Sequence, residues 1–196
     1  MSSRELGMKI TSAVFIKGIR GTDPVLYDGV AQVAFVGRSN VGKSSLINSL
    51  VGNRKLVKVS NRPGKTTEIN YFLINGKFYL VDLPGYGFAR VNPKEKEKLK
   101  KLIIWFLTAS NVPLKKVVLV VDTRVGITEF DRQMLGILRD KNHPFIVAAN
   151  KIDKLSKSEL AEKLKEIEEA AEGGEVVQTS AITPLGSRKL LEKLEM

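Results

Sequence analysis

Short apolar runs alternate along the chain with stretches whose apolar residues recur every three or four positions. The first kind reads as strand and the second as helix. A β-branched run at 10–17 predicts an edge strand. The run at 32–36, closed by Gly37, predicts a buried one, and residues 44–51 read as a helix. Residues 69–74 and 77–81 read as two strands joined by Asn75-Gly76, a strong signal for a tight hairpin turn. Within 94–107, Leu99, Leu102, Ile103 and Phe106 share one helical face. Residues 117–121 predict a strongly apolar strand, 130–139 a helix, and 145–149 a strand that begins after His143-Pro144. Residues 156–172 read as a helix capped by Ser156 and closed by Gly173-Gly174. A strand at 176–178 and a helix at 187–194 complete the pattern. The alternation predicts an α/β fold: a mostly parallel sheet with one antiparallel edge hairpin and helices on both faces. Ligands of such sheets bind beyond the carboxyl ends of the strands, so the residues there carry the chemistry.

Composition narrows the class. A chain of 196 residues suits one domain spanning 1–196. With 43% hydrophobic and 27% charged residues it has the balance of a soluble globular protein. No apolar run reaches the roughly 18 residues of a membrane span. Met1-Ser2-Ser3-Arg4-Glu5 leads into no signal core, and cysteine is absent, which excludes disulfides and thiolate metal sites. A cytoplasmic monomer away from membranes is the expectation. Against this ordinary background the formal net charge of +11 stands out. It suggests a polyanionic partner such as nucleic acid, or less readily an acidic membrane surface, although solubility or the lysine enrichment of a heat-adapted proteome would also account for it.

The first strand-end motif is Gly37-Arg38-Ser39-Asn40-Val41-Gly42-Lys43-Ser44, followed by Ser45. It matches G-x-x-x-x-G-K-[ST] between a strand and a helix. Glycines let backbone N–H groups wrap phosphate oxygens. Lys43 is expected to reach the β- and γ-phosphates and the Ser44 hydroxyl to bind Mg²⁺. Asp82-Leu83-Pro84-Gly85 follows the 77–81 strand. Asp82 is expected to hold Mg²⁺ through water, and the Gly85 N–H to meet the γ-phosphate. Pro63-Gly64-Lys65-Thr66-Thr67 lies in the long basic segment before the hairpin, where a threonine can close over metal and γ-phosphate. The chemistry alone does not choose between Thr66 and Thr67.

The base is read further along. Asn150-Lys151-Ile152-Asp153 follows the 145–149 strand. A carboxylate at Asp153 can accept both guanine N1–H and the exocyclic amine, which adenine does not offer together. Lys151 would lie along the base, and Asn150 would hold the loop. Thr179-Ser180-Ala181 would back the base with main-chain N–H groups. GTP and GDP are the expected ligands. A P-loop kinase or ATPase would need an adenine pocket, and the 150–153 motif argues against one. No lipidation motif supports a membrane GTPase.

The 37–48 stretch, Pro63-Gly64-Lys65-Thr66, and Asp82-Leu83-Pro84-Gly85-Tyr86-Gly87-Phe88-Ala89 resemble the EngB family of bacterial GTPases. The resemblance covers nearly the whole chain and favours Thr66 as the switch threonine. It implies a Ras-like fold, Mg²⁺-dependent GTP hydrolysis, and a role in assembling the large ribosomal subunit, with rRNA as partner. A nucleotide-gated RNA-binding module whose hydrolysis is incidental is the alternative. Two departures stand out. The family more often has threonine at the position of Asn150, and its S-S-x-T-G-x-G becomes Ser180-Ala181-Ile182-Thr183-Pro184-Leu185-Gly186.

Ras-type enzymes place a glutamine just after D-x-x-G to orient the attacking water. Tyr86 stands there, which implies slow turnover resting on Mg²⁺, Lys43 and loop N–H groups. Related GTPases with asparagine at the position of Asn40 use it to hold K⁺, so Asn40 either binds K⁺ or only braces the loop. Trp105 is expected to pack against the sheet and His143 to be a loop residue. The lysine-rich 94–101 stretch reads either as a solvated helix face or as a surface facing RNA. Lys55, Lys58 and Arg62 are better RNA candidates, and Arg90 and Arg124 lie near strand-end loops.

Overall fold

In a computed structural model of the chain, the described residues are 9–53, 55–57, 67–87 and 92–194, without the side chains of 184 and 185. Thr66, Pro63, Gly64, Lys65, Lys58, Arg62 and Arg90 therefore lie outside the described residues. The strands are β1 (Ala13–Ile19), β2 (Ala31–Gly37), β3 (Ile69–Ile74), β4 (Phe78–Asp82), β5 (Leu114–Asp122), β6 (Phe145–Asn150) and β7 (Glu175–Gln178). The helices are α1 (Lys43–Leu50), α2 (Pro93–Thr108), α3 (Glu129–Asp140), α4 (Lys157–Ala171) and α5 (Pro184–Lys193). Among the described residues, no helix is long and apolar enough to cross a membrane.

The strands form one sheet in the order β1-β3-β4-β2-β5-β6-β7. Pairings from β4 through β7 are parallel, while β3 runs against both β4 and β1. The hairpin thus sits one strand inside the edge. β1 takes the edge and pairs the outer backbone row that β3 would otherwise leave open. Asn75 and Gly76 have φ of 51° and 66°, the left-handed pair a two-residue turn requires. Residues 10–12 are not strand as expected; Asn75 Oδ1 accepts from the Thr11 and Ser12 N–H groups and holds them across the turn.

Burial follows the pleat. On β2, Val33 and Phe35 face one layer while Ala34 and Val36 face the other. The first layer packs under α1 and α5 through Leu46, Ile47, Leu190 and Leu194. The second packs under α2, α3 and α4 through Ile103, Phe106, Met134, Leu138 and Ile167. Both Ser156 of α4 and Thr128 of α3 close capping boxes, fixing where those helices begin. β5 starts three residues before the apolar run, because its backbone already pairs with β2 at Leu114 while Lys115 is exposed. α5 begins at Pro184, ahead of the expected 187, since proline at a first turn forgoes only an N–H that has no helical partner. Trp105 is half-buried against the α2 layer, and His143 Nε2 lies 2.7 Å from the Leu107 carbonyl.

Leu46 and Met134 are fully buried in opposite layers. Truncating either to alanine should cost about 2–5 kcal/mol. Urea titrations followed by circular dichroism should show one transition, displaced to lower urea by both changes. Separate transitions for the two variants would mean that the layers do not unfold together.

Candidate functional site

The loop from β2 into α1 is shaped by close approach. A Cβ on Gly37 would stand 2.5 Å from the Val120 carbonyl, and one on Gly42 would stand 2.5 Å from Asn150 Nδ2. Asn40 and Gly42 both take left-handed backbone, with φ of 65° and 94°. Glycine meets both demands at position 42 without strain. Because Gly42 is also the N-cap of α1, no side chain caps the first-turn N–H groups of that helix. They face the loop as a ready set of anion donors.

Asp82 ends β4, paired to Phe35 of β2 on one side and Asn70 of β3 on the other. It is fully buried, and its Oδ1 forms an ion pair with Lys43 Nζ, itself buried. Asp82 Oδ2 is buried and has no hydrogen-bond partner among the described residues. A buried carboxylate oxygen without a donor is costly unless a cation or water completes it. With the Ser44 hydroxyl one residue into α1, the donor set is hard oxygen, which fits Mg²⁺.

Beyond Asp82 the chain is sewn to the phosphate loop. Leu83 N–H donates to the Phe35 carbonyl (3.1 Å), and Ser39 N–H to the Tyr86 carbonyl (2.6 Å). Gly85 lies against Ser39, where a Cβ would come 3.1 Å from its Cα. Tyr86 turns its ring away from this surface. It is buried, packs on Phe130 with ring centroids 4.3 Å apart, and donates its hydroxyl to Asp131 Oδ1. Burial and the neighbouring Asp131 carboxylate push the phenol well above its ordinary pKa. Asp131 Oδ2 is already engaged by Thr128 in the α3 cap, so the tyrosine is tied to a fixed point.

The loop after β6 is braced against the loop after β2. Asn150 Nδ2 donates to the Val41 carbonyl (2.8 Å), and Thr179 Oγ1 donates to Asn150 Oδ1 (3.3 Å). Lys151, in left-handed backbone, extends its ammonium to the Asn40 carbonyl (2.5 Å) and to Asp122 Oδ2 (2.8 Å). Ser180 Oγ donates to Asp153 Oδ1 (2.7 Å), and that hydroxyl holds the Asp153 carboxyl below the usual carboxylate range.

The phosphate loop, Asp82–Gly85, Asn150–Asp153 and Thr179–Ala181 thus meet at the carboxyl ends of β2, β4, β6 and β7. Asp122 was not among the residues expected there. It ends β5 beside them, accepts from Lys151, and takes three hydrogen bonds from Arg124, one from its backbone N–H (3.2 Å) and two from its guanidinium (3.0 and 2.7 Å). Burial works against its charge, but Arg124 and Lys151 outweigh it and hold the carboxyl below its ordinary pKa. A carboxylate closing an apolar strand was the available signal. Arg124 is engaged in this pair. The Asn40 side chain is exposed, and its backbone carbonyl does the bracing.

A family model described as a 50S ribosome-binding GTPase matches residues 32–151, and one for the elongation factor Tu GTP-binding domain matches 108–196. The chain is 44% identical over 193 residues to a probable GTP-binding protein EngB of Clostridium kluyveri, covering 96% of each. It is 42% identical to the Aquifex aeolicus protein of the same description, over 83% of this chain and 88% of that one. A crystal structure of a probable EngB superimposes with a TM-score of 0.69 at 29% identity, over 84% of this chain and 96% of that one.

Replacing Gly42 with alanine adds left-handed strain of about 1–2 kcal/mol and drives a methyl group into the Asn150 amide. Affinity for a fluorescent GDP should fall at least about ten-fold. Unchanged affinity would show that the loop and the Asn150 brace yield to a side chain.

Proposed function

This chain belongs to the EngB family of GTP-binding proteins, and we propose that it is a cytoplasmic switch that hydrolyses GTP slowly and acts in assembly of the large ribosomal subunit. Its nucleotide lies across the carboxyl ends of the parallel strands. N–H groups of Gly37–Ser45 cradle the phosphates, and Lys43, paired with Asp82 in this structure, would turn from it to the β- and γ-oxygens when nucleotide binds. Asp153, with Asn150 and Lys151 behind it and Thr179–Ala181 alongside, reads guanine. Ser44, Asp82 and the switch threonine Thr66, from the 63–66 segment, would hold Mg²⁺. When bound, that ion offsets charge on the phosphate oxygens.

The observation that carries slow turnover is Tyr86. At the position where Ras-type enzymes keep a water-orienting glutamine, this chain has a phenol buried against Phe130 and engaged by Asp131. Its hydroxyl is engaged by Asp131, which supports a site with no water-orienting side chain at this position. What remains to the chain is charge stabilisation by Lys43 and loop N–H groups such as that of Gly85. The ribosomal assignment is supported by the description of the matched family model and by the +11 charge, which suits rRNA.

Sedimentation with purified large subunits tests the assignment. Binding should be stronger with a non-hydrolysable GTP analogue than with GDP, should weaken as salt rises, and should accompany faster phosphate release. Binding that is absent or equal in the two states would remove the ribosomal role. GTP-selective binding without faster release would favour the RNA-binding module.

Asn40 is proposed to hold K⁺ beside the phosphates. Its carbonyl, not its side chain, takes the Lys151 bond, so the amide oxygen is available to a cation. Turnover should be several-fold faster in K⁺ than in Na⁺, and Asn40→Ala should abolish the difference. Equal rates in the two salts would rule the K⁺ site out.

A further inference from the structure

α2 does more than cover the sheet. Between it and the segment that follows β1 lies a cavity of about 800 Å³. Its floor is apolar, formed by Leu102 and the half-buried Trp105. Its rim is cationic: Lys98 and Lys101 come from α2, and Arg20 from the opposite side. Arg20 is held at the lip by Glu68 (3.2 Å) and by a hydrogen bond to Thr67 Oγ1 (3.1 Å). Lys101 is three-quarters exposed and only loosely paired with Glu97 at 3.9 Å. Lys98 makes no ion pair among the described residues. Glu95 also lines the cavity, so its lining carries three positive charges against one negative, with Glu68 and Glu97 at its margin beside Arg20 and Lys101.

We propose that this groove binds single-stranded RNA, with one base laid on the Trp105 indole and flanking phosphates on Arg20, Lys98 and Lys101. The pairing of an aromatic floor with a cationic rim is what sequence-tolerant strand binding uses, because every base has a π-face and every linkage a charge. An A-form duplex keeps its bases stacked inside and has none to lend the pocket. An acidic peptide would satisfy the rim but would bring a planar group to the floor only where it carries an aromatic side chain, whereas every nucleotide carries one. The +11 net charge supplies long-range attraction for the same partner. The groove is distinct from the guanine site, and one wall of it, Thr67, is the sequence neighbour of Thr66. The inference deepens the ribosomal reading by locating an RNA contact, and rests on that reading only for the source of the strand.

Trp105 is the chain's sole tryptophan, so its emission reports this groove alone. Titrating the GDP-bound protein with a short single-stranded oligoribonucleotide should quench it. The logarithm of the affinity should fall with the logarithm of salt at a slope of about −2, as three phosphate contacts on a single strand require. The double variant Lys98→Glu/Lys101→Glu should lose measurable binding. Trp105→Leu, which keeps apolar volume against the core but has no π-face, should bind about ten-fold more weakly when followed by labelled RNA. GDP affinity in both variants checks that the fold persists. Three results overturn the groove: RNA binding with unchanged Trp105 emission, binding indifferent to the charge reversal, or equal quenching and affinity with a duplex or a mononucleotide. The same samples are sedimented with large subunits. A wild-type chain that fails to sediment counts against the ribosomal reading only, while one that sediments without oligonucleotide quenching counts against the groove only.

Discussion

Lys43 and Asp82 hold opposite charges out of water where β2, β4 and α1 converge. Two ions removed from water repay their desolvation only if each finds the other with good geometry. That requirement fixes much else. Asp82 must end its strand at the level of Phe35, and Lys43 must open its helix within reach of it. The loop between them must then turn sharply enough to need left-handed backbone at Asn40 and Gly42. Removing either charge would leave the other buried alone, which costs several kcal/mol.

Around that pair the surface loops are joined to one another as well as to the sheet beneath. The Asn150 amide reaches the phosphate loop at Val41, Lys151 reaches it at Asn40, and Ser39 is bonded to Tyr86. The 150–153 segment and the 37–44 loop are therefore positioned together. Asp122 anchors this arrangement from β5, because it accepts from the same ammonium that braces Asn40.

Much of this could be read from the chain. Strands buried on both faces must be continuously apolar, so 32–36, 117–121 and 145–149 announced β2, β5 and β6. The phosphate-loop and guanine motifs were visible because backbone geometry demands glycine at fixed spacing and base chemistry demands a carboxylate. Boundaries slipped where backbone pairing continues past the apolar run, as at Leu114, or where proline starts a helix, as at Pro184. The partnerships of Asp122 with Lys151 and of Tyr86 with Asp131 were out of reach. Their members lie 29 and 45 residues apart, and only the fold brings them together. Asp131 in particular reads as an ordinary first-turn acid of α3, and it also serves that role.

The anchoring of Tyr86 has a mechanical consequence for the loop that carries Gly85. Moving that loop outward by more than a small amount means drawing a fully buried ring off Phe130 and leaving Asp131 without its phenol partner. Small displacements would sacrifice packing before any new contact replaced it, since close-packed interiors do not stretch gradually. Outward movement of the loop therefore has to cross a threshold, and the seat of the Tyr86 ring sets it. Phe130 lies under the Lys100 ammonium of α2, 4.8 Å from its ring centre. Crossing the threshold would thus also disturb α2, the helix that supplies Lys98, Lys101 and Trp105 to the cationic groove.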